Sequence, residues 1–366
     1  MTITDGVSAP GSGPRLHDDG LRSFASDNYA GVHPEIIASL HQANHGHQPA
    51  YGGDAYTERL QEIMASHFGA QAQAFPVFNG TGANVLALQA VLPPWGAVVC
   101  ASTAHINTDE NGAPERVGRM KLLPVETPDG KLTPELIDRE AWGWGDEHRA
   151  QPLAVSITQT TELGTAYRVD EIKEIADYVH ERGMKLHMDG ARLPNAAVHL
   201  ERSLRDITTN AGVDVLSLGG TKNGMIFGEA VLVLNPDAAS GLTYLRKMNM
   251  QLASKMRFLS AQLVTLYEGD LWLRSAAQAN AMAARLRARL ESHPLLTFTQ
   301  PTESNAVLAI LPPAAAQRLR HNYRFYDWDP NRGEVRWMCA FDTEAPDVDA
   351  FCEAVNDALE ASTSDQ

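Results

Sequence analysis

The chain reads as an α/β protein: a large domain with a mostly parallel sheet flanked by helices, followed by a smaller C-terminal α+β domain. Three observations predict this. Short apolar runs and amphipathic stretches alternate from about residue 74 to about residue 234, the pattern of a parallel sheet covered on both faces. Glycine-rich turns follow two of those runs, at Asn79–Asn84 and Gly219–Gly224. After about residue 237 long helical stretches and short strands take over. With 366 residues the chain exceeds a typical single domain. The expected division is a flexible arm over 1–20, a large domain over 21–255 and a small domain over 256–366.

Taken in order, residues 1–20 are polar and rich in Gly, Ser and Pro, as a flexible arm would be. His33-Pro34-Glu35 opens a short helix through Leu40, and Thr57 to Phe68 is amphipathic, with Leu60, Ile63, Met64 and Phe68 on one side. The segment 74–78 is a short strand running into Asn79-Gly80-Thr81-Gly82-Ala83-Asn84 and an apolar helix that Pro93-Pro94 stops. Further strands are expected at 97–101, 122–125, 153–158, 184–188, 213–218 and 230–234. Thr133-Pro134-Glu135 starts a helix with proline in its first turn. The clearest helix is 169–182, with Asp170 as its cap and Gly183 at its exit. Beyond 237 the expectation is one helix over 242–267, another over 271–292, strands at 306–310 and 335–338, and a last helix over 348–359.

Composition narrows the partners. A formal charge of −15 argues against nucleic acid or an anionic membrane, which need basic patches. No apolar run approaches the length of a membrane span, and nothing in residues 1–20 resembles a signal peptide, so a cytoplasmic protein is expected. Cys100, Cys339 and Cys352 show no metal or redox spacing and read as reduced, mostly buried thiols. His41, His45 and His47 invite a metal hypothesis, but their spacing fits neither one helix face nor a pattern with an acidic third ligand. They read as loop or interface histidines, and no metal site is expected.

Lys222 is the residue around which the chemistry gathers. It lies among small residues in Gly219-Gly220-Thr221-Lys222-Asn223-Gly224, directly after the apolar run 213–218. An amine on such a turn points into whatever crevice lies at the strand end, and desolvation there makes it a Schiff-base nucleophile. Alone, such a Gly-Thr-Lys reads as a solvated loop lysine, and only the other segments turn the reading toward chemistry. Asn79–Asn84 joins a strand to a helix through glycines, a geometry that offers free N–H groups and a helix dipole to an anion. His187-Met188-Asp189-Gly190-Ala191-Arg192 ends another strand. Asp189 there is either a helix cap or the partner of the pyridine nitrogen of pyridoxal phosphate, where a carboxylate keeps the ring protonated. Arg192 suits a carboxylate, the cofactor's phenolic oxygen or a structural ion pair.

Those three segments, together with Ser102-Thr103-Ala104-His105, occur in the order seen in low-specificity threonine aldolases. The sequence resembles this group, in the β-eliminating lyase branch of fold-type I pyridoxal phosphate enzymes, from about Phe24 to Phe351; Thr-Lys-Asn-Gly at the lysine is most similar to bacterial threonine and phenylserine aldolases. The resemblance implies a lyase that cleaves β-hydroxy-α-amino acids to glycine and an aldehyde; β-elimination, transamination or racemisation on the same cofactor is the alternative. It implies pyridoxal phosphate on Lys222, its phosphate at Gly80 and Thr81, His105 stacked on its ring and Asp189 at its nitrogen. Ser26, Arg192 and Arg336 are implied to grip the substrate carboxylate. Tyr51 and Lys255 are implied to come from a neighbouring subunit of a homo-oligomer, commonly a tetramer. A packed tyrosine and a solvated lysine fit those two positions equally well. One departure stands out: the segment 158–164 lacks the second histidine many of these enzymes carry, leaving Gln159, Thr160 and Thr161 to bond the cofactor or the substrate hydroxyl.

Overall fold

The computed structural model describes residues 16–364, so most of the expected arm, up to residue 15, lies outside the described residues. The main sheet has seven strands: β1 (Gln73–Val77), β2 (Gly96–Ala101), β3 (Lys121–Val125), β4 (Gln151–Thr158), β5 (Lys185–Gly190), β6 (Val215–Leu218) and β7 (Glu229–Val233). Their order is β1-β7-β6-β5-β4-β2-β3. β2 to β6 pair in parallel, while β7 runs antiparallel to both β6 and β1. The connection explains that reversal. A parallel return needs a crossover of a dozen or more residues, and the short Gly219–Gly228 link can only make a turn.

Burial follows the apolar runs. Every residue of β2 and β6 is buried, and the Val169–Glu181 helix turns Ile172, Ile175, Ala176 and Val179 onto the sheet. Each of the isoleucines and the valine contributes about 1.5–3 kcal/mol when removed from water. Arg168, not Asp170, precedes the first turn of that helix; its N–H donates to Glu171 Oε2 at 2.7 Å.

The helix expected over 242–267 is two helices, Leu242–Met248 and Arg257–Glu268. Side chains break it. Asn249 Nδ2 donates to Leu245 O at 2.9 Å, Met250 takes a left-handed φ of 61°, and Gln251 Oε1 accepts the Phe78 N–H at 2.9 Å beside the end of β1. Apolar periodicity is blind to such a break because both halves keep their buried face.

A second, antiparallel sheet holds β8 (Thr297–Phe298), β9 (Ala306–Ile310), β10 (Tyr326–Asp329) and β11 (Glu334–Met338), in the order β10-β11-β9-β8. Its core includes Val307, Val335, Trp337, Phe351 and, from far upstream, Phe24. Phe24 stacks on Phe351 with centroids 4.1 Å apart, and the Met338 N–H donates to Phe24 O at 2.9 Å. The large core cluster runs on through Leu263, Leu266, Tyr267 and Leu271, whereas Ala283 and Leu286 belong to the small one. The two cores therefore divide within the Leu271–Leu290 helix, some way beyond residue 255. No helix among the described residues is long and apolar enough to cross a membrane. No cluster among them could hold a metal, and the His41 and His45 rings only meet edge to face.

Candidate active site

Lys222 sits in the turn between β6 and β7, in a one-turn helix Thr221–Asn223 that closes on Gly224 at φ 105°. The glycines before it are required by close approach. A Cβ on Gly219 would strike the Ala191 backbone, and one on Gly220 would meet Met225 Sδ and Gly228 O. Two groups fasten the turn: Glu229 Oε2 accepts the Gly220 N–H at 2.6 Å, and the Tyr267 hydroxyl donates to Gly219 O at 2.6 Å. Burial and the Arg192 guanidinium hold the Lys222 amine below the usual lysine value, with Asp27, Asp189 and Glu229 opposing them.

Across the cavity the Gly80–Val91 helix begins with Asn79, whose Oδ1 accepts the Gly82 N–H at 2.8 Å. Gly80 and Thr81 stand in the first turn of the helix, where an N–H has no carbonyl of the helix to bond. No turn or cap bond among the described residues uses either N–H, and no atom lies within 4 Å of where a Gly80 Cβ would stand. Free amides at the positive end of a 12-residue helix form an anion cradle.

Asp189 lies at the carboxyl end of β5, level with Thr158 on β4 and Ser217 on β6. It caps no helix. Its Oδ2 accepts from Asn84 Nδ2 at 2.8 Å and its Oδ1 from the Ala191 N–H at 3.0 Å. Burial alone would raise this carboxyl, but Lys222, His105 and the two donors outweigh it and hold it below the ordinary range. His187, on the same face of β5, bridges Ser156 and Ser217 at 2.9 and 3.0 Å, and burial pushes it down to about 4. His105 opens a short helix, with its N–H on Glu162 Oε1 at 2.9 Å and its Nδ1 at 2.8 Å from Glu110 Oε1. Glu110 raises the imidazole above its usual value against the pull of burial.

These groups share one space. A cavity of about 270 Å³ is lined by Gly80, Thr81, His105, Asp189 and Lys222. A second, of about 470 Å³, is lined by Ser26, His105, Glu162, Arg192, Lys222 and Arg336. The lysine and the histidine belong to both. A model of the beta-eliminating lyase family matches residues 23–312. The chain belongs to that family. It is 44% identical over 328 residues to the low-specificity L-threonine aldolase of Pseudomonas sp. (strain NCIMB 10558), covering 89% of this chain and 94% of that one. The Pseudomonas aeruginosa low-specificity L-threonine aldolase matches at the same identity and coverage. Among solved structures, Leishmania major threonine aldolase superimposes with a TM-score of 0.87 at 30% identity, over 92% of this chain and 99% of that chain. Sphingomonas wittichii serine palmitoyltransferase shares the fold at a TM-score of 0.70 and 13% identity. The architecture is that of fold-type I pyridoxal phosphate enzymes.

The residues of this beta-eliminating lyase fit that cofactor. The unpartnered amides suit a phosphate, the ionised Asp189 suits a protonated ring nitrogen, and the amine between them is held toward neutrality. The second cavity sets Arg192, Lys222 and Arg336 beside Asp109, Glu162 and Asp327. Arg192 is already taken, with Nε and Nη2 on Asp27 Oδ2 and Oδ1 at 2.7 and 2.9 Å. Arg336 forms no ion pair among the described residues; its guanidinium lies over Trp328 at 4.8 Å, and its Nε is buried without a partner. Burial, then Arg192, brings it down to about 10. Ser26 Oγ accepts the Asn28 N–H at 3.2 Å and borders the same space.

Other expected residues lie elsewhere. Tyr51 and Lys255 border neither cavity. They share an exposed surface where the Tyr51 N–H meets Ser254 O at 3.0 Å and the Lys247 amine lies 5.2 Å from the Tyr51 ring. Gln159 is tied to Tyr167 at 2.8 and 2.9 Å and Thr161 to Thr165 at 2.7 Å, so neither is free for cofactor or substrate; Thr160 is buried outside both cavities. Asp27, Asn84, Glu110, Glu162 and Glu229 escaped the sequence reading. Glu229 alone left a signal, as a charge opening the apolar strand β7.

Proposed function

We propose that this chain is a pyridoxal phosphate-dependent aldolase that cleaves β-hydroxy-α-amino acids, of the threonine, allo-threonine or phenylserine type, to glycine and an aldehyde. The convergence of the Lys222 amine, the Asp189 carboxylate and the Gly80–Thr81 amides on one cavity carries this reading, and the kinship with threonine aldolases supports it. The cofactor, when bound, supplies a ring that accepts the electron pair released as the Cα–Cβ bond breaks. Gly80 and Thr81 would hold its phosphate, Lys222 its aldehyde carbon and Asp189 the proton on its ring nitrogen. Arg336, a half-buried cation with no ion pair among the described residues, binds the substrate carboxylate, and Ser26 supplies a hydroxyl beside it. Arg192, locked on Asp27, shapes that pocket. His105 borders both cavities and takes the β-hydroxyl proton, directly or through water.

The reading extends to assembly and setting. Tyr51, Tyr244, Met248 and Met250 are exposed, and the Tyr51 N–H bonds the residue before Lys255, which supports a homo-oligomer in which Tyr51 and Lys255 serve a neighbouring subunit's site. The three free, buried cysteines fit a reducing, cytoplasmic setting. Lys222→Ala is expected to abolish aldehyde release, with glycine and aldehyde the wild-type products. Release of keto acid or ammonia instead, or full activity in the variant, would replace this reading.

A further inference from the structure

Asn84 gives its two amide hydrogens to two buried acids. Its Nδ2 lies 2.9 Å from Glu110 Oε1 and 2.8 Å from Asp189 Oδ2. Glu110 Oε1 in turn lies 2.8 Å from His105 Nδ1. Four side chains, brought from the Gly80–Val91 helix, the segment after β2 and the end of β5, thus form one unbroken run, His105–Glu110–Asn84–Asp189. Asn84 and Glu110 are 2% and 5% exposed and border neither cavity, so neither touches cofactor or substrate. A buried carboxylate is costly unless a cation or donors satisfy it. Among the described residues Glu110 has no lysine or arginine partner; His105 is the only group of possible positive charge that it bonds.

We propose that Glu110 and Asn84 are positioning residues: Glu110 fixes the proton of His105 on Nδ1, leaving Nε2 for the cavities, and Asn84 ties that pair to Asp189. The arrangement solves a specific problem. A neutral imidazole has two tautomers, and only the one with a free Nε2 can accept a proton from the cavity side; a buried carboxylate on Nδ1 selects it. Asn84 then sets the spacing between that carboxylate and the one reserved for the ring nitrogen, and keeps two acids apart that would otherwise repel. The role of the run in catalysis rests on the functional reading above; its existence does not.

The groups that face His105 are Glu110 on its own segment, Asp189 on β5, Glu162 on its backbone N–H and Lys222 from the β6–β7 turn. Of these, Glu110 and Asp189 raise its proton affinity and Lys222 lowers it. The two substitutions should therefore move His105 in opposite senses. Glu110→Gln removes the charge that favours the imidazolium. Asn84→Ala removes a donor that shares Glu110 Oε1 and leaves that oxygen to His105 alone.

The test is the pH titration of the His105 ring, followed by NMR in the cofactor-loaded protein labelled at histidine Cε1, with His105→Gln to assign the signal. The midpoint should fall in Glu110→Gln and rise in Asn84→Ala, whereas mere loosening of the fold would shift both the same way. In aldehyde release, Glu110→Gln should lower kcat by about tenfold or more, leave KM nearly unchanged and move the acid limb of kcat/KM to lower pH. Unmoved midpoints in both variants, or shifts of the same sign, would overturn the proposal. If Glu110→Gln fails to fold, the Asn84→Ala midpoint decides alone. Opposite shifts in the two variants, together with a wild-type protein that releases no aldehyde, would uphold the run of hydrogen bonds and sink the functional reading instead.

Discussion

Glu229 shows how one side chain can set both the stability and the chemistry of a site. Burial raises its carboxyl from 4.5 to about 7, although the Thr221 and Gly220 donors pull it down. The folded chain therefore binds this proton more tightly than the unfolded one. Between pH 4.5 and 7 this group makes stability fall as pH rises, and the loss is complete above that window. Comparing the Tm of wild type and Glu229→Gln from pH 5 to 8 should show the wild type losing ground up to about pH 7 and levelling off beyond it; parallel curves throughout would show that Glu229 does not titrate there. Arg336 yields a second expectation. A charge-assisted hydrogen bond contributes about 1.5–3 kcal/mol, so Arg336→Gln should raise KM for the amino acid by about 10- to 100-fold. An unchanged KM would remove Arg336 from the carboxylate site. The sequence made Lys222, Asp189 and His105 legible because each stands in a short local motif at a strand end. It hid Asn84 and Glu110 because their roles exist only once Asn84 meets Glu110 and Asp189, 26 and 105 residues away along the chain.

At the scale of elements, the Gly80–Val91 helix is both a structural and a chemical unit. Asn79 satisfies one of its first N–H groups while two others are left facing the cavity. Asn79→Ala should cost about 1 kcal/mol in urea unfolding and should also weaken pyridoxal phosphate binding in a fluorescence titration. A stability loss with unchanged cofactor affinity would separate the cap from the cradle. The strands of the main sheet were legible as apolar runs between turn residues. The break at Asn249–Met256 was not, because it depends on Gln251 reaching back to Phe78. Nor was β10, a short Tyr-Asp-Trp-Asp segment whose pairing with β11 carries a register shift rather than a clean alternation.

For the whole molecule, the segment around residues 24–27 joins the two cores. Phe24 is buried among small-domain residues, while Asp27, 1% exposed in its side chain, pairs with Arg192 at the end of β5 and accepts from Asn305 at 3.1 Å. Burial would raise the Asp27 carboxyl, but Arg192 overrides it and holds it below 3.8. The pair thus contributes stability that is present above pH 3.8 and lost as pH falls through the folded value. Asp27→Asn should destabilise the chain by about 3–5 kcal/mol, since it leaves Arg192 buried without its counter-charge. Denaturant unfolding measures this, and a loss under 1 kcal/mol would mean that water or another acid compensates the arginine. The two-core plan was visible in the change of pattern near residue 237. The bond between the cores was not, because Phe24 looks like part of the first domain until β11 is seen to close on it.

The most direct test of the central claim is to treat the purified, cofactor-loaded protein with borohydride, digest it and locate the modified peptide by mass spectrometry. One reduced pyridoxal phosphate adduct, on Lys222, is the predicted result. An adduct on another lysine, or none in a protein supplied with the cofactor, would contradict it.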